Sequence, residues 1–206
     1  ALASPELSLE GLSIVHGNCS LRQAATNGLS VLELANAGHI PVGLGCELPL
    51  VQPSLLAPET HGNTGLGYAK LPEPQTKPQV RHGCDFLIEK ILAYPGEITL
   101  VAIGPLTNVA LAIRKEPRII AALKEMIIMG GAIRHGGNTT PLAEFNTYCD
   151  PHAAHIVFHS GLPQSARATQ LTKLGLQTCL NMTSKTPLAA NYSMAVAVVP
   201  RALNDP

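Results

Sequence analysis

The segment ITLVAIGPLTNVALAI, from Ile98 to Ile113, predicts a strand and a helix joined by a tight turn. Its first part, Ile98 to Ile103, is almost entirely apolar, which is typical of a strand buried on both faces of a parallel sheet. Pro105 suits the first position of a helix, and the LTNVALAI that follows continues a helical spacing of apolar residues. A strand that leads directly into a helix predicts a βαβ unit and therefore an α/β protein.

The flanking sequence repeats this alternation in both directions. Ser20 and Gln23 form an S-x-x-Q capping box, which predicts the start of a helix that continues to Gly38. The pair Asp150-Pro151 predicts the start of another helix, because Asp is a good cap and Pro suits the first helical position. The other predicted elements are strands at Leu12 to Val15, Pro41 to Leu44 and Met126 to Met129, and helices at Asp85 to Tyr94 and His152 to Phe158.

These elements predict one α/β domain over residues 1–206, with an open, mostly parallel, Rossmann-like sheet and helices on both of its faces. The strands at Leu12 to Val15, Ile98 to Ile103 and Met126 to Met129 are expected to be neighbours. The stretch from Gly45 to about Pro78 is rich in Pro and Gly and has no clear period. It is predicted to be a long loop, and loops of this length are often functional.

The composition narrows the range of partners. Fourteen basic residues balance fourteen acidic ones and do not cluster, which argues against nucleic acid and against an anionic membrane surface. No apolar run approaches the roughly 18 residues of a membrane span. The five cysteines are scattered without a C-x-x-C pair, which argues against a disulfide framework and against a thiolate zinc site. We therefore expect a cytoplasmic protein with reduced cysteines and a small neutral partner.

The ends of the predicted strands indicate where that partner binds. Ligands of open α/β sheets bind at the carboxyl ends of the strands. In this sequence those ends are small, polar or rich in glycine, which leaves room for a ligand along one edge of the sheet. They read Gly17-Asn18, Gly43-Leu44-Gly45, GPLTN from Gly104 to Asn108, and Met129-Gly130-Gly131.

A polar segment, GGNTTPLAEFNTYCDP from Gly136 to Pro151, follows the last of these ends. Asn138, Glu144 and Asn146 supply the mixed donors and acceptors that the vicinal hydroxyls of a sugar require. Alternatively, these side chains are loop residues that bond to their own backbone. Phe145 either stacks on a sugar or base or belongs to the core, whereas capping alone explains Asp150.

Two further residues are candidates for ligand contact. Asn18 follows a strand and a glycine, so it is either a turn residue or a ligand contact. His61 lies in THGNTGLG within the long loop, where an imidazole can donate a proton or a hydrogen bond. The glycines of this segment match neither dinucleotide nor Walker spacing, so a phosphate loop is not predicted. His155 and His159, four residues apart, lack a third ligand and predict no metal site.

Several motifs in a fixed order resemble the inosine/uridine-preferring nucleoside hydrolase family. They are HGNCSLRQAATN from His16, VGLG from Val42, HGNTGLG from His61, ITLVAIGPLTNVAL from Ile98, IIMGG from Ile127 and GNTTPLAEFNTYCDPHAA from Gly137. The resemblance implies a calcium-dependent enzyme that hydrolyses the N-glycosidic bond of ribonucleosides to base and ribose. Relatives in this family are commonly dimers or tetramers, so a homo-oligomer is possible.

The resemblance also implies roles for individual residues. Asn138, Glu144 and Asn146 would bind ribose hydroxyls, and Asn18 would be a further contact near the sugar. His61 would line the base side. By the same resemblance, Met129 would pack near the ribose, and Phe145 lies within the matching segment. The resemblance also implies that the Ile103 carbonyl and Asp205 would bind the metal.

The sequence departs from the family pattern in its acidic residues. In the family, a D-x-D-P-G-x-D-D cluster supplies the catalytic base and most metal ligands. This cluster lies just before a segment that resembles ALASPE, with which this sequence begins. No catalytic residue is therefore assigned within this sequence. Asn204-Asp205-Pro206 only partly matches a downstream His-Asp-Pro. We expect a domain truncated at the N-terminus and shortened at the C-terminus, with weak calcium binding and barely detectable turnover. The alternatives are a nonhydrolytic nucleoside- or sugar-binding module and a general α/β domain.

Overall fold

The structure is a computed structural model that describes residues 2, 4–132, 136–163 and 194–200. Asp205 lies outside the described residues. So do the predicted departures from the family pattern after Pro163, except for the strand over residues 194–200. The elements in chain order are β1 (Leu7–Ile14), α1 (Leu21–Leu34), β2 (Val42–Leu44), α2 (Pro58–His61), α3 (Gly83–Ala93), β3 (Thr99–Ala102), α4 (Thr107–Lys115), α5 (Ile119–Ala122), β4 (Glu125–Ile128), α6 (Phe145–Cys149), α7 (Pro151–Phe158) and β5 (Met194–Pro200).

The five strands form one sheet in the order β2-β1-β5-β3-β4. β1 is parallel to β2, and β3 is parallel to β4. β5 is antiparallel to both β1 and β3. Four of the five strands therefore run in one direction, which confirms the mostly parallel α/β sheet.

The predicted neighbour relationship of the strands is only partly correct. β3 and β4 are adjacent as expected, but β5 lies between β1 and β3, so the expectation that Leu12 to Val15 pairs beside Ile98 to Ile103 is wrong. The prediction assigned no strand to Met194–Pro200, although its alternating Ala and Val residues are typical of one. Strand order depends on contacts between distant parts of the chain, and local periodicity carries no information about it.

Helices cover both faces of the sheet. Side chains alternate along a strand, so Leu12 and Ile14 of β1 point to one face, where they pack with residues of α1. Val15 points to the other face, into a larger cluster with α3, α4 and α7. Leu100 of β3 also belongs to this larger cluster. The two buried clusters confirm the layered arrangement predicted for this sheet.

The element boundaries follow local sequence signals with some exceptions. Ser20 caps α1 by accepting a hydrogen bond from the Gln23 N–H, as predicted, but the helix ends at Leu34 rather than Gly38. Pro105 is not the first helical residue, because α4 begins at Thr107. The predicted long loop contains only the short helix α2, which begins directly at Pro58.

None of the helices in the described part of the chain is long and apolar enough to cross a membrane.

Candidate functional site

Glu144 lies at the carboxyl edge of the sheet, just before α6, and is 2% exposed. It caps this helix: Oε1 accepts from the Asn146 N–H at 2.9 Å, and Oε2 accepts from the Thr147 N–H at 3.1 Å. Oε2 also accepts from the Gly131 N–H at 3.0 Å, just beyond β4. An ionised carboxylate has about four acceptor positions. The described residues use three of them, which leaves one position on Oε1 for a further donor.

Asn146 connects this cap to the ends of β3 and β4. Its Nδ2 donates to the Ile103 carbonyl at 3.3 Å and to the Met129 carbonyl at 3.0 Å, and it also lies 3.1 Å from Met129 Sδ. These bonds use the two N–H groups of the amide. Within the described residues its Oδ1 makes no hydrogen bond. The structure therefore brings Ile103, Met129, Glu144 and Asn146 together at one point of the sheet edge.

Asn138 and Phe145 lie beside this group. Asn138 is exposed, and its Oδ1 accepts from the Phe145 N–H at 2.8 Å. Phe145 is half-buried and is the first residue of α6. Asn138 and Glu144 both bond to nearby backbone N–H groups, as expected if they are loop residues that bond to their own backbone. For Glu144, these bonds leave one acceptor position available to a ligand.

Asn18 and His61 form a second group at the end of β1. The Asn18 carbonyl accepts from the Ala57 N–H at 3.0 Å, and the Ala57 carbonyl accepts from the His61 N–H at 3.0 Å. β1 and β3 run in the same direction on either side of β5, so Asn18 and Ile103 follow strand ends on the same edge. Two strand spacings separate those strands by about 10 Å.

A buried chain of hydrogen bonds beneath this edge was not foreseen from the sequence. His16 Nε2 lies 2.9 Å from Thr107 Oγ1, and the Thr107 hydroxyl donates to Asp150 Oδ2 at 2.7 Å. A hydroxyl has one hydrogen, and Thr107 gives it to the carboxylate. His16 Nε2 must therefore carry the hydrogen in this bond. His16 Nδ1 is then an acceptor, and it is buried without a hydrogen-bond partner in the described part of the chain.

Asp150 is more than the helix cap that the sequence predicts. Its Oδ1 accepts from the Ala153 N–H at 2.9 Å, which confirms the cap. Its Oδ2 also accepts from the Leu50 N–H at 2.9 Å, which holds the start of the long loop against α7. The side chain is fully buried. Burial lowers the pKa of His16, and the charge of Asp150 opposes this effect only in part.

Asn108, the last residue of GPLTN, joins the ends of β1 and β2. Its Nδ2 donates to the Ile14 carbonyl at 2.8 Å and to Ser13 Oγ at 2.9 Å, while its Oδ1 accepts from the Cys46 N–H at 2.8 Å. The amide packs directly against Gly45, where a Cβ atom would overlap it. This glycine is therefore required by a close approach.

The described residues do not make a calcium site by themselves. Calcium binds six to eight oxygens. At this edge the Ile103 carbonyl already accepts from Asn146, and three N–H groups bond to Glu144. The carboxylate of Asp150 is bonded to Leu50, Thr107 and Ala153. A metal at this edge would need ligands beyond these residues.

Comparison with known proteins identifies the family. The family model for inosine-uridine preferring nucleoside hydrolases matches residues 1–201. Uridine nucleosidase 1 of Arabidopsis thaliana is 43% identical over 162 residues, 78% of this chain and 48% of that protein. The inosine-uridine preferring nucleoside hydrolase of Leishmania major is 41% identical over 180 residues, 86% of this chain and 57% of that protein.

Solved structures agree with this result. A purine-preferring ribonucleoside hydrolase from Gardnerella vaginalis superimposes with a TM-score of 0.77 and 31% identity, covering 79% of this chain and 53% of that one. A plant nucleoside hydrolase superimposes with a TM-score of 0.74 and 40% identity, covering 79% and 52%. The chain belongs to the inosine-uridine preferring nucleoside hydrolase family. It spans about half the length of the curated relatives it matches.

Proposed function

We propose that the protein hydrolyses the N-glycosidic bond of ribonucleosides and releases free base and ribose. The observation that carries this proposal is the cap at Glu144, a buried carboxylate at the carboxyl edge with one acceptor position beside Asn146 that no described residue uses. The family match supports hydrolysis over the nonhydrolytic sugar-binding alternative, because the named relatives are hydrolases and nucleosidases.

The reaction requires stabilisation of positive charge on the sugar. A water oxygen forms a bond to C1′ as the bond from C1′ to the base nitrogen breaks, and the base nitrogen receives the bonding electrons and a proton. Cleavage passes through an oxocarbenium-like state, and hydrogen bonds to sugar hydroxyls that strengthen in this state supply several kcal/mol. A carboxylate that accepts a hydrogen bond from a ribose hydroxyl favours the developing positive charge.

The residues near Glu144 would position the ribose. In this proposal Glu144 accepts from one hydroxyl, and Asn146 offers its Oδ1 to a second. Asn138 and Asn18 add contacts from either side, while Met129 and Phe145 supply apolar surface for the sugar. The bonds of Asn146 to the Ile103 and Met129 carbonyls support this role, because they fix the orientation of its amide before a ligand binds.

His61 would contact the base. Burial lowers the pKa of its half-buried imidazole, and the nearby Glu59 opposes this effect only in part. A lowered pKa keeps the ring neutral at pH 7, where it can donate one hydrogen bond and accept another. We therefore propose that His61 is neutral before substrate binds and forms hydrogen bonds to the base, rather than being a protonated general acid.

A metal dependence belongs to this proposal, because the resemblance to nucleoside hydrolases implies one. We propose calcium, held in part by the Ile103 carbonyl and Asp205, with further oxygen ligands from outside the described residues. Such an ion would supply Lewis-acid chemistry to the attacking water. The partner is a small ribonucleoside rather than nucleic acid. A cytoplasmic location and a homo-oligomeric state, dimer or tetramer, complete the proposal.

The test is product analysis with the intact natural protein, inosine and uridine in phosphate-free buffer. We expect ribose and free base in equal amounts, with hydrolysis lost on addition of a chelator. Nucleoside binding without ribose release would favour the nonhydrolytic alternative. Release that requires phosphate and yields a sugar phosphate would contradict hydrolysis.

A further inference from the structure

Three side chains of residue types that can bind metals meet near the carboxyl end of β2, apart from the group around Glu144. Cys46 follows this strand, and His82 and Cys84 lie at the start of α3. Their candidate ligand atoms all lie within 4.8 Å of one another. The sequence argued against a thiolate zinc site because no C-x-x-C pair is present. The long loop separates Cys46 from the other two residues, so only the fold brings them together.

The spacing of the two sulfur atoms suits a tetrahedral metal. Cys46 Sγ and Cys84 Sγ are 3.9 Å apart. Two sulfur ligands at about 2.3 Å from a tetrahedral zinc ion are separated by about 3.8 Å. The sulfur atoms therefore need almost no movement to share one zinc ion.

The surroundings hold these ligands in place. The Cys46 N–H donates to Asn108 Oδ1 at 2.8 Å, which fixes the backbone of the first ligand. Gly83 packs against Gly45 so closely that a Cβ atom on Gly83 would lie 3.0 Å from the Gly45 backbone. This packing fixes the start of α3 beside Cys46. Both cysteines are buried, and His82 is exposed on the solvent side.

We propose that Cys46, His82 and Cys84 bind one zinc ion, with a water molecule as the fourth ligand. Two thiolates and an imidazole form a donor set that zinc favours over calcium or magnesium. Binding displaces the two thiol protons to solvent, so each zinc ion bound releases up to two protons. Asn108 does not compete as a ligand, because both ends of its amide bond to other groups.

The zinc ion would tie together the two ends of the long loop. Cys46 lies near the start of this loop, and His82 follows its end, while α2 with His61 lies between them. The loop ends are already paired where the Gln79 N–H donates to the Val42 carbonyl at 2.8 Å. A shared zinc ion would add a second link and limit the unfolding of the loop. This role is independent of the proposed hydrolysis.

The experiment measures zinc binding by the reduced, metal-free chain in competition with a chromophoric chelator. We expect one zinc ion per chain, and we expect cobalt to give the absorption of a tetrahedral ion with thiolate ligands. His82→Gln, Cys46→Ser and Cys84→Ser each remove a direct ligand and should weaken zinc binding by more than the roughly tenfold that the loss of an outer-shell partner costs. His82 is exposed, and its Nδ1 caps α3 by accepting from the Cys84 N–H at 3.3 Å, a bond that the Gln side-chain oxygen can also accept, so this variant should fold.

Two control variants separate this site from adventitious binding. His39→Gln changes another exposed histidine, and Cys149→Ser changes another buried cysteine. Both should bind zinc as tightly as the unmodified chain. The proposal is overturned if the reduced chain takes up no zinc, if cobalt shows no thiolate absorption, or if His82→Gln and Cys84→Ser bind zinc with unchanged affinity.

Discussion

Glu144 and Asp150 are both buried carboxylates that cap short helices, and they differ in what else they bind. Among the residues that the structure describes, Glu144 accepts from backbone N–H groups at the carboxyl edge and from no side chain. Asp150 accepts from its own helix, from the Leu50 N–H in the long loop and from the Thr107 hydroxyl, which leads to His16. Asp150 therefore joins three distant parts of the chain, whereas Glu144 serves one edge.

This difference distinguishes a carboxylate that only stabilises the fold from one that can also bind a ligand. The partners of Asp150 are two buried groups, on Thr107 and Ala153, and the partly buried Leu50 N–H, so the loss of Asp150 would leave all three without this hydrogen bond. On Glu144, the described part of the chain leaves one acceptor position of Oε1 unused beside Asn146. We therefore expect changes at Asp150 to alter mainly the free energy of unfolding, and changes at Glu144 to alter mainly the binding of a ribonucleoside.

The largest effect is expected for Asp150→Ala. This change removes the acceptor of the Thr107 hydroxyl and of the Leu50 and Ala153 N–H groups, and each buried donor left unpaired costs about 1–3 kcal/mol. The free energy of unfolding should fall by about 3 kcal/mol or more, measured by urea denaturation. The control Asp85→Ala removes an exposed ion pair with Lys115 and the acidic residue in the first turn of α3, and it should cost about 1 kcal/mol or less. Equal losses in the two variants would contradict the role of Asp150.

Thr107→Val should have the next largest effect. Valine has nearly the same shape but lacks the hydroxyl, so both His16 Nε2 and Asp150 Oδ2 lose a buried partner. We expect a loss of about 2 kcal/mol in the free energy of unfolding. Thr26→Val, which removes a hydroxyl that donates to the Arg22 carbonyl on α1, is the matched control. If the two variants are equally stable, the buried chain contributes nothing.

Glu144→Gln should lower the free energy of unfolding by only about 1 kcal/mol. The Gln side-chain oxygen can replace only one carboxylate oxygen; in the place of Oε2 it keeps the bonds from the Thr147 and Gly131 N–H groups, while the bond from the Asn146 N–H is lost. The lost charge removes the stronger, charge-assisted bonds to these groups. Thermal unfolding of this variant beside Glu125→Gln, a change at the start of β4, measures the effect. A loss as large as that of Asp150→Ala would show that the two carboxylates are equivalent structural groups.

The smallest effect is confined to acid pH and involves His16. Its pKa in the folded protein is lowered by burial, so the unfolded chain binds a proton more readily. The contribution of His16 is fully present above its unfolded pKa of about 6.5, and the free energy of unfolding falls as pH drops from there toward the lowered pKa. His16→Gln should reduce this pH dependence. The pH dependence of the free energy of unfolding is compared with that of His61→Gln, because the pKa of His61 is also lowered by burial. An unchanged pH profile in His16→Gln would contradict a buried neutral imidazole.

The sequence predicted the features that depend on neighbouring residues. The caps at Ser20 and Asp150 and the strand at Ile98 to Ile103 follow from short patterns, and the structure confirms them, with slightly shorter bounds for the strand. The sequence did not predict the position of β5, because strand order is set by packing across the whole sheet. Nor did it predict the contact between His16 and Thr107, which are 91 positions apart.

The candidate site shows the same division. The resemblance of short motifs identified Glu144, Asn146 and Ile103, and the structure brings these residues together by hydrogen bonds. The convergence of Cys46 with His82 and Cys84 gave no signal in the sequence, since the ligands come from opposite ends of the long loop. Motifs can name residues of a site, but contacts between separate motifs require the fold.

The most direct test of the central claim is the kinetics of Glu144→Gln in the intact natural protein, with uridine and inosine as substrates. We predict that ribose release falls by about 100-fold in kcat/KM, in line with the loss of one group that stabilises a transition-state charge. The same variant should remain folded, and Glu125→Gln should keep the unmodified rate. Glu144→Gln with unchanged kcat/KM for both nucleosides would contradict the assignment of Glu144 to the ribose.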